Sequence, residues 1–393
     1  MPGSVIVAGA RTPIGKLSGA LASFPAVDLG GFAIKAALER AGVAPDQVDY
    51  VVMGQVLLAG QGQIPARQAA ARAGVPLSVP ATTVNKVCLS GLNAIYLADQ
   101  MIAAGDAEVV VAGGMESMTR APYLLPGARE GFRLGDATLV DSMMYDGLTC
   151  SFDHCAMGLA TERYAAGAVT RERQDAFAAA SHERAAAAAK DGRLAEEIVP
   201  VQVPQRKGDP IVVDTDEGVR PGTTVESLAA LRPAFDKEGT ITAGNASQIS
   251  DGGAAVVVMS RARADALGVA PLGELVSYGQ VAGPDTSLLS QPSRAITRAL
   301  EKAKLSVPDV EVFEINEAFA AVGLVSAEEL GLDEGRLNVN GGAIALGHPI
   351  GMSGTRLAIT ALYELRRRGG GVAAVGLCGG GGQGDAAILR TLG

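Results

Sequence analysis

The sequence contains no tryptophan, and aromatic residues make up only 4% of its 393 residues. Charged residues make up 19% and apolar residues 48%, which is a globular composition rather than that of a disordered chain. Basic residues are also few, since 33 Lys and Arg against 42 Asp and Glu leave a net charge of −9. A phosphate backbone attracts a basic surface, so general nucleic-acid binding is not expected. A local basic site for one anionic ligand remains compatible with this charge.

Cysteine is scarce and scattered. The four cysteines show neither a CxxC pair nor a ladder of short spacings, which argues against a zinc ribbon and a disulfide scaffold. They are Cys88, Cys150, Cys155 and Cys378. We therefore predict no metal site and a reducing, cytoplasmic location. No basic leader segment or run of 18 uninterrupted apolar residues occurs, so neither a signal peptide nor a membrane span is predicted.

Glycine, by contrast, is abundant, at 51 residues, and the length suits two or three domains. Short β-branched runs alternate with stretches rich in Ala and Leu, which predicts an α/β fold with largely buried strands. Strands are predicted at 5–7, 51–53, 109–111, 256–258 and 372–375. Helices are predicted at about 91–104, ended by Gly105, and at about 170–190, capped by Thr170 and ended by Gly192.

A weak internal repeat relates the two ends of the chain at an offset of 263 positions. It pairs Ser90 with Ser353, Gly91 with Gly354, Val109 with Val372 and Gly113 with Gly376. In each case a Ser-Gly turn opens a helix that leads into a strand, and a strand at 49–53 has a counterpart at 311–315. Two related α/β halves account for this pattern. The alternative is chance similarity between glycine-rich α/β segments.

The residues between the repeats have a different character, with many prolines and charges and one long predicted helix. We interpret residues 119–249 as an inserted loop domain that covers a site. Residues 1–118 together with 250–270 would form the N-terminal half, and residues 271–393 the C-terminal half.

Cys88 has the sequence setting of a nucleophile, because it follows an apolar strand and precedes a helix. A helix N-terminus offers N–H groups and positive partial charge, which stabilise a thiolate. Cys378 lies where a strand runs into consecutive glycines, and such a turn lets backbone N–H groups converge on a ligand oxygen. For Cys88 the alternative is a small buried apolar residue. For the glycine-rich turn at Cys378 the alternatives are a phosphate site or no site at all.

His348 lies in a glycine-rich apolar loop and precedes a proline, which suits a fixed base beside a thiol. Asn316 follows a predicted strand, where an amide could hold water or a carbonyl oxygen, or simply cap the next helix. His182 is interpreted as part of a solvated helix face, and His154 as structural. Together Cys88, Cys378, His348 and Asn316 predict acyl transfer through a covalent thioester.

Four spaced motifs resemble those of the thiolase family, and the resemblance covers nearly the whole chain. They are Cys88-Leu89-Ser90-Gly91, Asn316-Glu317-Ala318-Phe319, Gly347-His348-Pro349 and Cys378-Gly379-Gly380. Residues 231–235 and 242–247 also resemble the family's coenzyme A loop domain. The resemblance implies a thiolase fold with two pseudo-symmetric βαβαβαββ halves in five layers (αβαβα) and an inserted loop domain.

The resemblance also implies a division of catalytic roles. Cys88 would be acylated after deprotonation by His348, and Cys378 would move a proton at the α-carbon of acetyl-CoA. His348 and Asn316, through a bound water, would form one oxyanion site, and the N–H groups of Cys88 and Gly380 would form the other. The implied activity is reversible Claisen condensation and thiolytic cleavage with ping-pong kinetics, in fatty acid metabolism.

Acyl-CoA and CoA are the substrates and partners that the resemblance implies, with no tightly bound cofactor and a homodimer or homotetramer as the assembly. Arg220 would face the phosphates of the nucleotide. The remaining residues assigned to coenzyme A by the resemblance are Ser227, Phe235, Ala243 and Ser247 along the channel and Met157, Ala318 and Phe319 near its reactive end.

Two positions depart from the short-chain biosynthetic pattern of the family. Ala156 stands where a histidine usually precedes the Met-Gly pair, and residues 288–292 read Leu-Leu-Ser-Gln-Pro where the family tends to have Gly-Pro. Both touch the acyl pocket, so a longer or branched 3-ketoacyl chain is an alternative to acetoacetyl-CoA. A decarboxylating ketoacyl synthase and a non-catalytic acyl-CoA-binding protein of the same fold are further alternatives, disfavoured by Cys378 and by the complete set of reactive residues.

Overall fold

In the computed structural model, which describes residues 4–391, a long mixed sheet carries helices on its faces. The first part of the chain alternates strands and helices. Its elements are β1 (Ser4–Arg11), β2 (Gly15–Lys16), α1 (Ala26–Ala41), β3 (Tyr50–Gly54), α2 (Pro65–Arg72), β4 (Ala81–Val84), α3 (Ser90–Ala104) and β5 (Val109–Ser117). The predicted strands at 51–53 and 109–111 and the helix at 91–104 are confirmed, and Gly105 ends α3 with a φ of 80°.

The middle part contains short hairpins and three helices. It comprises β6 (Tyr123–Leu124), β7 (Val140–Asp141), a π-helical turn (Met143–Leu148), β8 (Thr149–Cys150), β9 (Cys155–Ala156), α4 (Met157–Ala165), α5 (Arg171–Lys190), β10 (Val201–Val203), β11 (Ile211–Val213) and α6 (Val225–Ala229). Helix α5 is the long predicted helix, and Thr170 caps it by accepting a hydrogen bond from the N–H of Arg173 at 3.3 Å.

The last part returns to the alternating pattern. Its elements are β12 (Ser250–Ser260), α7 (Arg261–Leu267), β13 (Gly273–Ala282), α8 (Gln291–Ala303), β14 (Val312–Ile315), α9 (Ala320–Leu330), α10 (Ala343–Leu346), α11 (Ser353–Arg367), β15 (Val372–Gly379) and β16 (Gln383–Arg390). Short 3₁₀ helices lie at Pro45–Gln47, Met118–Arg120, Val307–Asp309 and Glu334–Arg336.

The sheet consists of two similar halves joined at one narrow point. The strand order is β14-β15-β16-β13-β1-β12-β5-β3-β4, with β2 added beside β12. Strands β1 and β13 share only two residue pairs, Val5 with Glu274 and Ile6 with Gly273. In the first half the order β1-α1-β3-α2-β4-α3-β5-β12 is the predicted βαβαβαββ unit. In the second half the third strand is reduced to a single bridge between Phe313 and Leu337.

The sequence repeat corresponds to this structural repeat. Helices α3 and α11 begin at Ser90 and Ser353, and strands β5 and β15 begin at Val109 and Val372, so both pairs keep the offset of 263. Three apolar cores lie under α1 and α2, between the halves around α3 and α11, and under α8 and α9. The predicted five-layer αβαβα arrangement is therefore confirmed, and chance similarity is excluded.

The two central helices meet at their N-terminal glycines. A Cβ on Gly354 would lie 2.4 Å from the backbone N of Leu92, and one on Gly91 would lie 2.8 Å from the carbonyl oxygen of Gly351. Only glycine permits this approach, and it brings together the turns that precede α3 and α11.

The middle part is anchored to the first half by a fully buried arginine. Arg11 on β1 forms ion pairs with Glu197 at 2.8 Å and Asp216 at 2.6 Å. The three predicted domain ranges stay a prediction, and residues 1–3 and 392–393, which the first and third ranges include, lie outside the described residues.

One segment, Val87–Ala104, has a mean hydropathy of 1.3 over 18 residues and is apolar enough to cross a membrane by composition. In the fold this segment is α3 with the turn before it, and it packs against α11 and strands β3 and β5. Its apolar character fits its place in the central layer. The expectation of no membrane span stays a prediction.

Candidate active site

The predicted reactive residues converge on one small cavity. Cys88 precedes α3, His348 precedes α11, and Cys378 lies at the end of β15. The cavity has a volume of about 60 Å³ and is mostly apolar. It is lined by Val87, Cys88, Gly147, Leu148, Met157, Ser247, Leu288, Ala318, Phe319, His348, Ile350, Cys378 and Gly380. Both sulfurs and the imidazole therefore face the same space.

The turn before α3 presents the Cys88 sulfur to the cavity. Val87 adopts a φ of 52°, a left-handed conformation that costs a β-branched residue on the order of 1–3 kcal/mol. The side-chain oxygen of Asn85 accepts the N–H of Val87 at 3.0 Å, and the Ser90 hydroxyl donates to the carbonyl of Val87 at 2.6 Å. These two side-chain hydrogen bonds hold the backbone of Val87 in a conformation that a β-branched residue would otherwise leave.

Two backbone donors point at this sulfur, namely the N–H groups of Cys88 itself and of Gly380. They come from different halves of the molecule. When the sulfur carries an acyl group, the same donors can reach a thioester oxygen, which is the geometry required of an oxyanion site.

The Cys88 thiol is neutral at rest, contrary to the expectation drawn from the helix N-terminus. Burial and, to a smaller extent, the charge of Glu116 raise the pKa of Cys88 to about 12, and the two N–H groups oppose this rise only in part. The desolvation of the sulfur outweighs the helix terminus. Ionisation therefore needs a base in the cavity.

His348 is such a base, and its hydrogen bonds define its tautomer. Its Nδ1 lies 2.6 Å from the Ser353 hydroxyl, and that hydroxyl donates its proton to the carbonyl of Pro349 at 3.0 Å. Nδ1 must therefore carry the ring proton, which leaves Nε2 free to accept one. Burial, with Arg356 adding to the effect, lowers the pKa of His348 to about 4, so the ring is neutral at pH 7.

Asn316 lies beside the imidazole and keeps one free acceptor. Its Nδ2 is 3.4 Å from Nε2 of His348. The residue is fully buried, and within the described residues its Oδ1 has no hydrogen-bond partner. A buried acceptor of this kind is suited to a bound water.

The second thiol, Cys378, is also neutral. It is 1% exposed, and burial together with the proximity of Cys88 raises its pKa well above the ordinary value. A buried neutral thiol next to a thioester can give or take a proton only when the reaction creates a partner for it.

An outer cleft of about 450 Å³ leads into the cavity, and it shares Leu148, Met157, Ser247 and Phe319 with it. The outer cleft also contains Arg220, Phe235 and Ala243, which were predicted to line the coenzyme A channel, and Ala156, which was predicted to touch the acyl pocket. Ala318 lines the inner cavity, as predicted for the reactive end. Of the predicted residues, Ser227 lines neither space. It lies in the first turn of α6, where its hydroxyl donates to the carbonyl of Thr224 at 2.8 Å.

The interpretation of His182 as a solvated residue is wrong. It is 3% exposed, and its Nδ1 accepts the backbone N–H of Arg220 at 3.2 Å. Helix α5 packs inside the molecule, so the charged neighbours of His182 in the sequence did not indicate its environment. Burial, with the charge of Arg220, lowers the pKa of His182 to about 4.

The buried His182 predicts a specific dependence of stability on pH. The unfolded chain binds a proton at His182 near pH 6.5 and the folded chain only near pH 4, so acidification between these values favours unfolding. Relative to His182→Asn, which keeps an acceptor for Arg220, we expect the wild type to lose on the order of 3 kcal/mol more between pH 7 and 4. Urea unfolding of both proteins across this range checks it, and parallel curves would contradict it.

Glu116 is a functional neighbour that sequence reasoning missed. Its fully buried carboxylate accepts the N–H groups of Val56 at 3.0 Å, Leu57 at 3.1 Å and Gly351 at 3.0 Å. It thereby fixes the loop of His348 to the first half. The sequence feature that could have identified Glu116 is an acidic residue at the end of the apolar strand β5.

The remaining candidates are His154 and the segment 288–292. Among the described residues no group of three or more His, Cys, Asp or Glu could hold a metal ion. His154 is part of the turn between β8 and β9, whose free cysteines Cys150 and Cys155 lie opposite each other in the strand register. Of the segment 288–292, only Leu288 lines the inner cavity. Gln291 instead donates to the carbonyls of Gly283 and Ser287.

Covalent acyl transfer through a cysteine thioester is the chemistry for which this cavity is arranged, and the chain is an acyltransferase. Residues 4–262 match the family model described as thiolase, N-terminal domain, and residues 269–391 match thiolase, C-terminal domain. The chain therefore belongs to the thiolase family.

Similar proteins cover the whole length of the chain. A protein named probable acetyl-CoA acetyltransferase from Mycolicibacterium smegmatis is 59% identical over 98% of this chain and 100% of its own. One with the same name from Mycobacterium tuberculosis is 58% identical over 100% of both chains. An acetyl-CoA acetyltransferase from Cupriavidus necator is 54% identical over 98% of each.

Proposed function

We propose that this thiolase catalyses the reversible CoA-dependent condensation of two acetyl-CoA molecules to acetoacetyl-CoA and CoA, through an acyl-Cys88 intermediate. The observation that carries the proposal is the joint exposure of Cys88, Cys378 and His348 to one cavity at the end of a larger cleft. The names of the similar proteins support acetyl-CoA as the substrate.

The first half-reaction transfers an acyl group to Cys88. His348 accepts the thiol proton at Nε2 as the sulfur attacks the thioester carbonyl, and the imidazolium then protonates the departing CoA sulfur. The N–H groups of Cys88 and Gly380 hold the oxyanion of the tetrahedral intermediate. Because the thiol and the imidazole are both neutral at rest, the ion pair forms only during the attack.

The second half-reaction forms the carbon–carbon bond. Cys378 passes its thiol proton to Nε2 of His348, and the resulting thiolate removes a proton from the α-carbon of the second acetyl-CoA. The carbanion then attacks the acyl carbonyl on Cys88. Asn316 and a water on its free Oδ1 support the enolate oxygen together with His348. Collapse of the tetrahedral intermediate releases the Cys88 sulfur, which takes the proton held by His348, so both thiols and the imidazole return to their neutral forms. Thiolysis runs these steps in reverse.

Cavity size favours a short acyl group. The inner cavity is several times smaller than the outer cleft, and apolar side chains such as Leu148, Leu288 and Ile350 close it. A longer or branched 3-ketoacyl chain remains the second candidate, because Ala156 leaves room at the boundary of the cleft where the family pattern has a histidine. Steady-state thiolysis with 3-ketoacyl-CoA substrates of increasing length separates the two, with kcat/KM expected to be highest for acetoacetyl-CoA.

The other roles belong to the same proposal. The enzyme would act in the cytoplasm in fatty acid metabolism, as a homodimer or homotetramer, without a tightly bound cofactor, metal, membrane or nucleic acid. The scarcity of cysteine and the acidic net charge support the location and the lack of a nucleic-acid partner.

Mass spectrometry of the protein after incubation with acetyl-CoA tests the function. We expect one acetyl group on Cys88 that is lost when free CoA is added. An active ketoacyl synthase or a non-catalytic binding protein would not show this reversible exchange. A protein that binds acetyl-CoA without acylation of Cys88 would overturn the proposal.

Arg220 gives a test of the coenzyme A channel. It lies in the outer cleft and supplies positive charge for the phosphates of the nucleotide. We expect Arg220→Gln to raise KM for CoA roughly five- to tenfold, the loss of one charge-assisted contact, with kcat little changed. Steady-state thiolysis checks this, with the exposed Arg206→Gln as the matched control. An equal rise in KM in both variants would contradict the assignment.

A further inference from the structure

An ion pair between the two halves lies directly beside the reactive sulfurs. Lys86, two residues before Cys88, places its Nζ 2.8 Å and 2.9 Å from the two carboxylate oxygens of Asp385. Asp385 is fully buried on β16, and the side chain of Lys86 is 22% exposed. The contact therefore joins the turn of the nucleophile to the second half of the molecule.

Asp385 belongs to the same hairpin as Cys378. Strands β15 and β16 pair Leu377 with Asp385 and Cys378 with Gly384. The hairpin turn that follows Cys378 carries Gly380, whose N–H group points at the Cys88 sulfur. Lys86 thus binds the hairpin that supplies the second thiol and one oxyanion donor.

The carboxylate itself is held in place. The hydroxyl of Tyr278 donates to Asp385 at 2.8 Å, and the ring of Tyr278 stacks on Tyr96 of α3, with centroids 4.3 Å apart. The far side of the same junction is closed by a tight contact, because a Cβ on Gly379 would lie 2.7 Å from Cγ of Leu89. The hairpin and the Cys88 turn are fixed to each other on both sides.

The Cys88 turn needs such a support. Val87 is held in a left-handed conformation, and its hydrogen bonds to Asn85 and Ser90 are local. Those contacts set the shape of the turn but not its place relative to Cys378. Within residues 4–391, the side-chain hydrogen bonds that connect residues 85–90 with β16 are those of this ion pair.

We infer that the pair of Lys86 and Asp385 is a positioning element that aligns Cys88 with Gly380 and Cys378, and so sets the rate of both half-reactions. The inference rests on the proposed function, because alignment is read out through acyl transfer and carbon–carbon bond formation. Neither residue lines the cavity, so neither touches the reacting atoms.

Lys86→Met tests the inference, since it keeps the length of the side chain and removes the charge. We expect kcat of thiolysis to fall roughly 10- to 100-fold, as for a small misplacement of reacting groups, with KM for CoA within about twofold of wild type. Acetyl exchange between acetyl-CoA and CoA should fall to a similar extent. Lys86→Arg, which keeps the charge and the hydrogen bonds, should restore most of both rates.

Arg390→Gln is the matched control. Arg390 lies on β16, like Asp385, and forms an ion pair with Glu274 on the neighbouring strand β13, far from the cavity. It should leave both rates unchanged. If Lys86→Met does not fold, Asp385→Asn, which keeps the size of the side chain and an acceptor for Tyr278, takes its place under the same criteria.

The outcomes separate the two proposals. A wild-type protein without thiolysis or acetyl exchange would overturn the proposed function. An active wild type with unchanged kcat in Lys86→Met, or with Lys86→Arg as slow as Lys86→Met, would overturn the positioning role alone. A lower melting temperature in Lys86→Met with wild-type kcat per folded molecule likewise assigns the pair to stability and contradicts the inference.

Discussion

Cys88→Ala abolishes turnover, with kcat of thiolysis expected to fall by roughly four orders of magnitude or more. The reason is that no other group in the cavity can carry the acyl chain through the ping-pong cycle. Cys378 faces the same cavity, but the N–H groups of Cys88 and Gly380 are directed at the Cys88 sulfur. Steady-state thiolysis, together with the loss of the acetyl adduct in mass spectrometry, measures this effect.

A matched variant controls for general effects of removing a thiol. Cys155→Ala replaces a half-buried cysteine on β9 outside the inner cavity and should keep wild-type kcat. Residual turnover above a few per cent in Cys88→Ala would show that another residue accepts the acyl group, and the proposed intermediate would be wrong.

Cys378→Ala is expected to separate the two half-reactions. Carbon–carbon bond formation and cleavage should fall by about 10³-fold or more, because the α-carbon loses its acid and base. Acetyl exchange onto Cys88 should stay within roughly tenfold of wild type, since His348 and both N–H donors remain. Comparison of the exchange rate with the condensation rate for the same preparation measures the effect.

The contrast with Lys86→Met makes this result diagnostic. A proton shuttle affects one half-reaction, whereas misalignment of Cys88 slows both. Equal loss of exchange and condensation in Cys378→Ala would contradict the role of Cys378. Cys378→Ser, which keeps a proton-bearing group of higher pKa, should recover little of the condensation rate.

The architecture could be predicted from the sequence because the internal repeat is visible in local sequence patterns. Ser90 and Ser353 open equivalent helices, and β-branched runs at 109–111 and 372–375 mark equivalent buried strands. These features depend on short-range propensity and on complete burial, which a single sequence displays. The reduction of one strand in the second half to a single bridge at Leu337 had no local signal.

The reactive residues were also predictable, since thiols and an imidazole at glycine-rich strand ends are unusual. The protonation states of these residues could not be predicted from the sequence. The sequence suggested a stabilised thiolate at Cys88, and the fold makes it neutral because burial outweighs the helix terminus. The burial of this sulfur depends on side chains from both halves that close around it, and no local sequence pattern shows which ones do.

Long-range polar contacts were the other feature that sequence reasoning could not supply. Lys86 and Asp385 are separated by 299 positions, and Glu116 reaches Gly351 across 235. His182 was misassigned for the same reason, because its partner is a backbone N–H of a distant loop. Such pairings are set by how the layers pack, and only the folded chain shows them.

In the proposed mechanism, two sulfurs and one imidazole act on a single acyl group, and a crystal structure of the acetylated enzyme would show whether they do. We expect an acetyl thioester on Cys88 with its carbonyl oxygen about 3 Å from the N–H groups of Cys88 and Gly380. We also expect the Cys378 sulfur to face the space beside the acetyl group. An acetyl group on another residue, or a Cys378 sulfur turned away from that space, would contradict this mechanism.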